Sequence, residues 1–314
     1  MDQYSDAPKV PLELAVRIGC KLQYESAFET PLLLNVNPRQ DAYQLITQER
    51  LELDPIHPGS EFEDDHGNTV LRMAMPAGTT TIIYDAVTMV PSVSENFAHL
   101  DAPIPPQRLP AALLRYTFPS RYCDSDKLRD FAWQHFGHIP QGIERIQAIC
   151  NWLHQNIEYR TGSGSTEISA YDVIQRGYGV CRDLAHCGVA LCRTFNLPTR
   201  YVSGYVPDIA CYDPGTPMDF HAYFEVYMGG RWQVFDARFN TPRVGRVRIS
   251  TGYDAATCAF STYFGAAKLR WFEVWSYQVD PTIVRVGDPI DLSLRLCGTP
   301  QIRRHGTAQF EVAA

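Results

Sequence analysis

No stretch of the 314-residue chain approaches the roughly 18 consecutive apolar residues of a membrane-spanning helix, so no membrane partner is expected. Positive charge is scarce as well: 28 Lys and Arg stand against 35 Asp and Glu, a formal net charge of −7. A basic surface for phosphate backbones is therefore not expected, which argues against a nucleic-acid partner. The nine Cys are an odd number and include no CxxC pair, which suits reduced thiols better than a disulfide framework. Residues 1–9 also lack a basic stretch followed by an apolar one, and together these features predict a cytoplasmic protein. There is no internal repeat, no low-complexity tract and no twelve-residue calcium loop, so no metal or cofactor is expected.

What remains is a chain of ordinary composition, 45% hydrophobic and 20% charged, long enough for more than one hydrophobic core. Leu12, Leu14, Val16, Ile18, Cys20, Leu22 and Tyr24 alternate with other residues at the period of a half-buried strand. Turn chemistry at residues 65–68 and a β-branched run over 79–90 predict hairpins, hence a β-rich domain over 1–100 built as a small sandwich or barrel. Pro103, Pro105, Pro106 and Pro110 mark a linker over 101–120 that discourages regular elements. Beyond it the period becomes helical. Asp124, Ser125 and Asp126 read as the cap of a helix running to about Phe136, and Ile143, Ile146, Ile149, Leu153 and Ile157 share a second helical face. A mixed core over 121–270 and a β-rich extension over 271–314 complete an α+β chain.

The chemistry concentrates in the core. Residues 178–195 carry apolar or small side chains at 184, 185, 188, 191, 192 and 195, one buried face of a helix that starts at Cys181. At a helix start the unpaired N–H groups and the positive dipole end favour an anionic sulfur. Cys187 and Cys192 fall mid-helix, and Cys20 and Cys150 fit apolar faces, so those are read as core residues. A zinc site from Cys181, Cys187 and Cys192 is disfavoured, because 181 and 192 lie roughly 16 Å apart along a helix axis.

A thiol nucleophile needs a base. His186, five residues along the helix, is turned roughly 140° away from Cys181. His221 instead lies on a strand that Gly229-Gly230 can turn into residues 231–237. If Met228 faces Arg231, Tyr223 opposes Asp236 and His221 opposes Arg238, which makes His221 and Asp236 diagonal neighbours on one face. The carboxylate can then orient the imidazole towards the thiol.

Five segments resemble the bacterial transglutaminase-like proteins that share a papain-like catalytic plan. They are Gly-Val-Cys-Arg-Asp-Leu-Ala (179–185), Leu-Cys-Arg (191–193), Leu-Pro-Thr-Arg-Tyr-Val-Ser-Gly-Tyr (197–205), Asp-Phe-His-Ala (219–222) and Val-Phe-Asp (234–236). The region from about 12 to 90, with Thr-Pro-Leu-Leu-Leu at 30–34, is similar to the β-rich domain that accompanies that core. The resemblance implies a nucleophile helix packed on an antiparallel sheet, with Cys181 as nucleophile, His221 as base and Asp236 as third member. This chain departs from the family's common Asp-Pro by having Asp236-Ala-Arg238, which bears on the local turn and on substrate contacts.

Such a triad leads to amide or peptide hydrolysis through an acyl-enzyme thioester. The oxyanion donors are expected to be the Cys181 N–H and one upstream group, with Tyr159 and Gln175 as candidates, while Tyr205 and Asp219 are candidates for the cleft wall. The expected partner is a peptide or protein substrate, with the oligomeric state left open. Two rival readings share the fold: acyl transfer to an amine, and a binding or assembly module without turnover.

Overall fold

The computed structural model describes residues 11–93, 103–209 and 217–296. The first part of the chain forms β1 (Leu12–Ser26), β2 (Thr30–Leu34), β3 (Leu45–Asp54), β4 (Gly59–Glu63), β5 (Thr69–Met75) and β6 (Gly78–Pro91). The turn at residues 65–68 joins β4 to β5 as an antiparallel hairpin in which Glu63 faces Thr69. Alternate residues of β1 from Leu14 to Tyr24 face Leu32 and Leu34 of β2 and Met73 and Met75 of β5 in one apolar core. The β domain is thus a sandwich, held by the two-residue period of its inward side chains.

The linker residues from 103 onward are more regular than their prolines suggest. A 3₁₀ turn spans Pro106–Arg108 and a short α1 spans Ala111–Leu114. Pro106 and Pro110 stand at the starts of these turns, where a missing N–H costs nothing. Leu113 and Tyr116 are buried against Tyr227 and Trp232 of the core that follows.

The core contains α2 (Arg129–Phe136), α3 (Ile143–Asn156), β7 (Glu158–Tyr159), α4 (Ala170–Arg176), β8 (Tyr178–Gly179) and α5 (Cys181–Thr194). Then come β9 (Thr199–Tyr205), β10 (His221–Met228), β11 (Arg231–Phe235) and β12 (Val247–Gly252), which form an antiparallel sheet in the order β11-β10-β9-β12. Asp124 does not cap α2, which begins five residues later. Its carboxylate accepts from the Ser169 hydroxyl at 2.7 Å and the Tyr171 N–H at 3.0 Å, so it caps α4 instead. α5 lies against β10 so closely that a Cβ on Gly188 would sit 2.3 Å from the Phe224 ring. Arg193, buried near the end of α5, donates to the carbonyls of Phe118, Thr199 and Tyr253 and so ties the linker, β9 and a later loop to the helix.

The strands after β12 return to the sandwich. β13 (Ser261–Tyr263) pairs with β2, and β14 (Ala267–Gln278) pairs with β1 along almost its whole length. Both sheets of the sandwich therefore close with strands from beyond the core, in the orders β14-β1-β6-β3 and β13-β2-β5-β4. Residues 279–292 then cover the outer side of the first sheet, where Val279 and Val284 join Ala15, Val87 and Trp275. The remainder of the expected extension, 297–314, lies outside the described residues, as do 94–102 at the domain boundary.

The two halves share apolar and charged contacts. Tyr205, Phe220, Val247 and Ile249 enter the sandwich core. On β10, fully buried Glu225 accepts from Arg200 at 2.6 Å and Arg248 at 3.0 Å, and Arg248 also reaches Asp41 at 3.2 Å. Burial would raise the Glu225 carboxyl, but the two guanidinium groups hold it down at about 2. Among the described residues no helix is long and apolar enough to cross a membrane.

Candidate active site

Gly229 and Gly230 have φ of 59° and 80°, the positive values that a two-residue turn of the primed type requires. That turn fixes the hairpin register: Met228 faces Arg231, and the pairing continues in step to Phe224 opposite Phe235. Asp236 follows immediately, and its Oδ2 accepts from His221 Nε2 at 2.9 Å. The Cys181 thiol, at the first residue of α5, lies close enough to the imidazole to add to its charge. Cys181, His221 and Asp236 thus come together where α5 begins beside the start of β10.

The helix start is pinned from beneath. Asp183, on the first turn of α5, is buried and accepts the Val180 N–H at 3.1 Å, while Arg176 and Arg182 pair with its two oxygens at 3.0 and 3.2 Å. A Cβ on Gly179 would lie 2.8 Å from Asp183 Cβ, so only glycine lets the chain pass this close. β7 pairs in parallel with β8, placing Tyr159 opposite Gly179, two residues before Cys181.

The electrostatics favour a charged imidazole. Burial by itself would lower the His221 imidazole, but the Asp236 carboxylate and its hydrogen bond push it up to about 9, with the Cys181 contact adding to the effect. Burial would likewise raise Asp236, but His221 and Arg246 hold its carboxyl well below the usual range. Arg246 contributes Nη2 at 3.0 Å to the same Oδ2, and its guanidinium lies 4.6 Å from the Tyr223 ring. The Arg238 and Phe239 N–H groups donate to Oδ1 at 3.1 and 3.3 Å. The Phe239 ring, 4.9 Å from that of His221, covers the imidazole.

Cys181 is half-buried, whereas Cys20, Cys123, Cys150, Cys187, Cys192 and Cys258 are buried. Burial pushes the thiols of Cys20, Cys123, Cys192 and Cys258 up to about 12, which makes them inert core residues. His186 points away from the thiol. It stacks between Tyr122 and Tyr201, accepts the Ala255 N–H at 3.1 Å, and is pushed down to about 3 by burial, so it stays neutral.

The remaining candidates separate. Tyr159 lies close to Cys181, and burial first and the nearby sulfur second push its hydroxyl up to about 12, which keeps it a proton donor. Gln175 is exposed on α4, whose inward residues are Ala170 and Val173. Asp219 is exposed just ahead of β10, close enough to act electrostatically on Tyr159 and His221. Tyr205 is corrected: it is fully buried, donates to the Val36 carbonyl at 3.0 Å and sits in the sandwich core, so it does not line a cleft. Its inward turn follows from the second apolar layer on β9, which the strand pattern alone does not assign to a partner. Sequence reasoning missed Arg246 and Asp183. The Asp at the third position of α5, three residues after its cap, is a signal that could have found the latter.

Comparisons with known proteins bear on the fold and the family. A family model described as the transglutaminase-like superfamily matches residues 131–237. The structure of a candidate cysteine protease from Cytophaga hutchinsonii resembles this one with a TM-score of 0.79 and 34% sequence identity, over 85% of this chain and 91% of that one. An uncharacterised protein of Mycobacterium leprae is 22% identical over 219 residues, 65% of this chain and 77% of its own. One of Mycobacterium tuberculosis is 26% identical over 182 residues, 54% of this chain and 58% of its own.

Proposed function

Because the chain belongs to the transglutaminase-like superfamily, we propose that it is a thiol-dependent amide or peptide hydrolase with Cys181 as nucleophile, His221 as acid and base, and Asp236 as orienting carboxylate. The superfamily and the Cytophaga hutchinsonii neighbour together support a cysteine-dependent hydrolase or acyltransferase. The observation that carries the finer reading is His221 itself, held by Asp236 at 2.9 Å and lying close to the Cys181 thiol.

In the first half-reaction the Cys181 thiol gives its proton to His221, the sulfur bonds to the amide carbonyl carbon, and the carbonyl π pair moves onto oxygen as an oxyanion. The Cys181 N–H, free at the helix start, and the Tyr159 hydroxyl are the donors for that oxygen. As the tetrahedral species collapses, the carbon–nitrogen bond breaks and His221 gives its proton to the departing amine, leaving a thioester. His221 then takes a proton from water, the hydroxide adds to the thioester carbon, and the sulfur leaves with the acid as product. Asp236, pinned by Arg246, stays anionic throughout and stabilises the imidazolium. A reducing cytoplasm suits the uncrosslinked thiols among the described residues.

Mass spectrometry after exposure to a peptide library tests the reading. An acyl adduct on Cys181 that forms in the parent protein and is absent in Cys181→Ala is expected. Adducts spread over several Cys, or none on Cys181, would end it. Incorporation of a labelled primary amine at the expense of hydrolysis would move the assignment to acyl transfer.

A further inference from the structure

Arg238 is the residue that stands where the resembling family commonly continues from a proline, and its surroundings are unusual for a half-buried cation. Its Cζ lies 3.6 Å from the centroid of the Tyr159 ring and 5.6 Å from that of Phe239, the ring that covers His221. No carboxylate among the described residues pairs with it: Glu158 is engaged by Arg160 at 2.7 Å, and Asp236 takes only the Arg238 backbone N–H. His154 Nδ1 donates to the Ala237 and Arg238 carbonyls at 3.2 Å, which holds this stretch of backbone in place.

A cavity of about 270 Å³ opens beside this guanidinium. Tyr159, Arg238, His154, Glu158 and Leu184 are among its walls; the Glu158 carboxylate is offset by Arg160 at 2.7 Å, and Leu184 stands one turn along α5 from Cys181. A guanidinium lying on an aromatic ring spends its face on the ring and, beyond what its approach to the Tyr159 hydroxyl uses, keeps N–H groups at its edge for a planar acceptor. The complementary group is a carboxylate, which accepts two parallel N–H bonds from one Arg.

Resting on the thiol-hydrolase reading, we propose that Arg238 and the cavity beside it form a substrate subsite for a carboxylate, so that the preferred substrates are peptides with an acidic group within about two residues of the scissile amide. The distance follows from the layout: Tyr159 neighbours both the thiol and the guanidinium, and extended peptide advances about 3.3–3.6 Å per residue.

Binding and turnover test this separately. Fluorescent peptides carrying Glu, Gln or Lys at each of the two positions on either side of one amide, and a pair ending in a free or an amidated terminus, are titrated against Cys181→Ala. At one position, or at the terminus, the carboxylate peptide binds about ten- to a hundredfold more tightly than its neutral counterpart. Adding Arg238→Gln reduces that ratio to near one, and Arg238→Lys keeps part of it, since charge remains and the planar fork is lost. Equal affinities for Glu and Gln peptides, a preference for Lys, or a preference that survives Arg238→Gln overturns the subsite. Hydrolysis of the same peptides by the parent protein reports on the catalytic reading: binding preference without turnover removes that reading and leaves the subsite.

Discussion

Replacing Asp236 with Asn removes one negative charge that three groups share: the His221 imidazole, the Arg246 guanidinium and a pair of backbone N–H groups. Loss of one partner of a buried ion pair costs about 3–5 kcal/mol, because the other charge stays buried without it. The cost has a pH signature. His221 is raised from 6.5 to about 9 in the folded protein, so its contribution is fully present below pH 6.5 and disappears as the pH climbs through about 9. At about 1.4 kcal/mol for each tenfold step, the amount lost is about 3 kcal/mol. Asp236 works in the other direction: its contribution is present above the usual carboxylate range and fades only as the pH falls below it.

Urea unfolding of the parent protein and of Asp236→Asn from pH 5 to 10 under reducing conditions isolates this, since the Cys181 contact that also raises His221 stays in both. The gap in unfolding free energy is expected to be widest near pH 6 and to narrow by about 3 kcal/mol by pH 10, where His221 has lost its proton in both proteins. Two profiles that run parallel across this range would refute the claim that Asp236 is what keeps the imidazole charged. The same reasoning places the alkaline fall of kcat/KM of the parent enzyme near 9.

Three further outcomes follow from single contacts. Tyr159→Phe keeps the ring under Arg238 but removes the hydroxyl, and kcat is expected to fall about 10²-fold with little change in KM; an unchanged kcat would strike Tyr159 from the oxyanion site. Glu225→Gln leaves Arg200 and Arg248 facing each other without their shared carboxylate and should cost about 3–5 kcal/mol in urea unfolding, with a loss under 1 kcal/mol counting against the network. Gly188→Ala pushes a methyl group into the Phe224 ring, and a loss of about 1–3 kcal/mol is expected; calorimetry showing no change would mean that α5 can move off the sheet freely.

Much of the site could be read from local pattern. Gly229-Gly230 set the hairpin, the hairpin set the register, and the register brought His221 and Asp236 to one face, each step spanning only a few residues. The helical face of residues 184–195 gave α5 and its start at Cys181 in the same way. What failed to show depends on distant partners. Asp124 looks like a cap for the helix that follows it but serves α4, more than forty residues on. Arg246 sits in no periodic segment, and only folding brings it to Asp236. Tyr205 has the period of a strand residue, yet period reports that a face is covered and not by what; the sandwich covers it. The same limit hid the pairing of β14 with β1, since an edge strand carries no local mark of its neighbour.

That pairing gives the thiol domain the status of an insert within the sandwich. Both sheets wait for strands that leave the ribosome only after residues 103–258 have emerged, so the catalytic half has all of its elements before the sandwich does. Until β13 and β14 arrive, β1 and β2 each present an open edge rich in apolar residues, the kind of surface on which nascent chains associate. Late closure of these two edges makes the final strands the step at which production of this protein is most easily diverted.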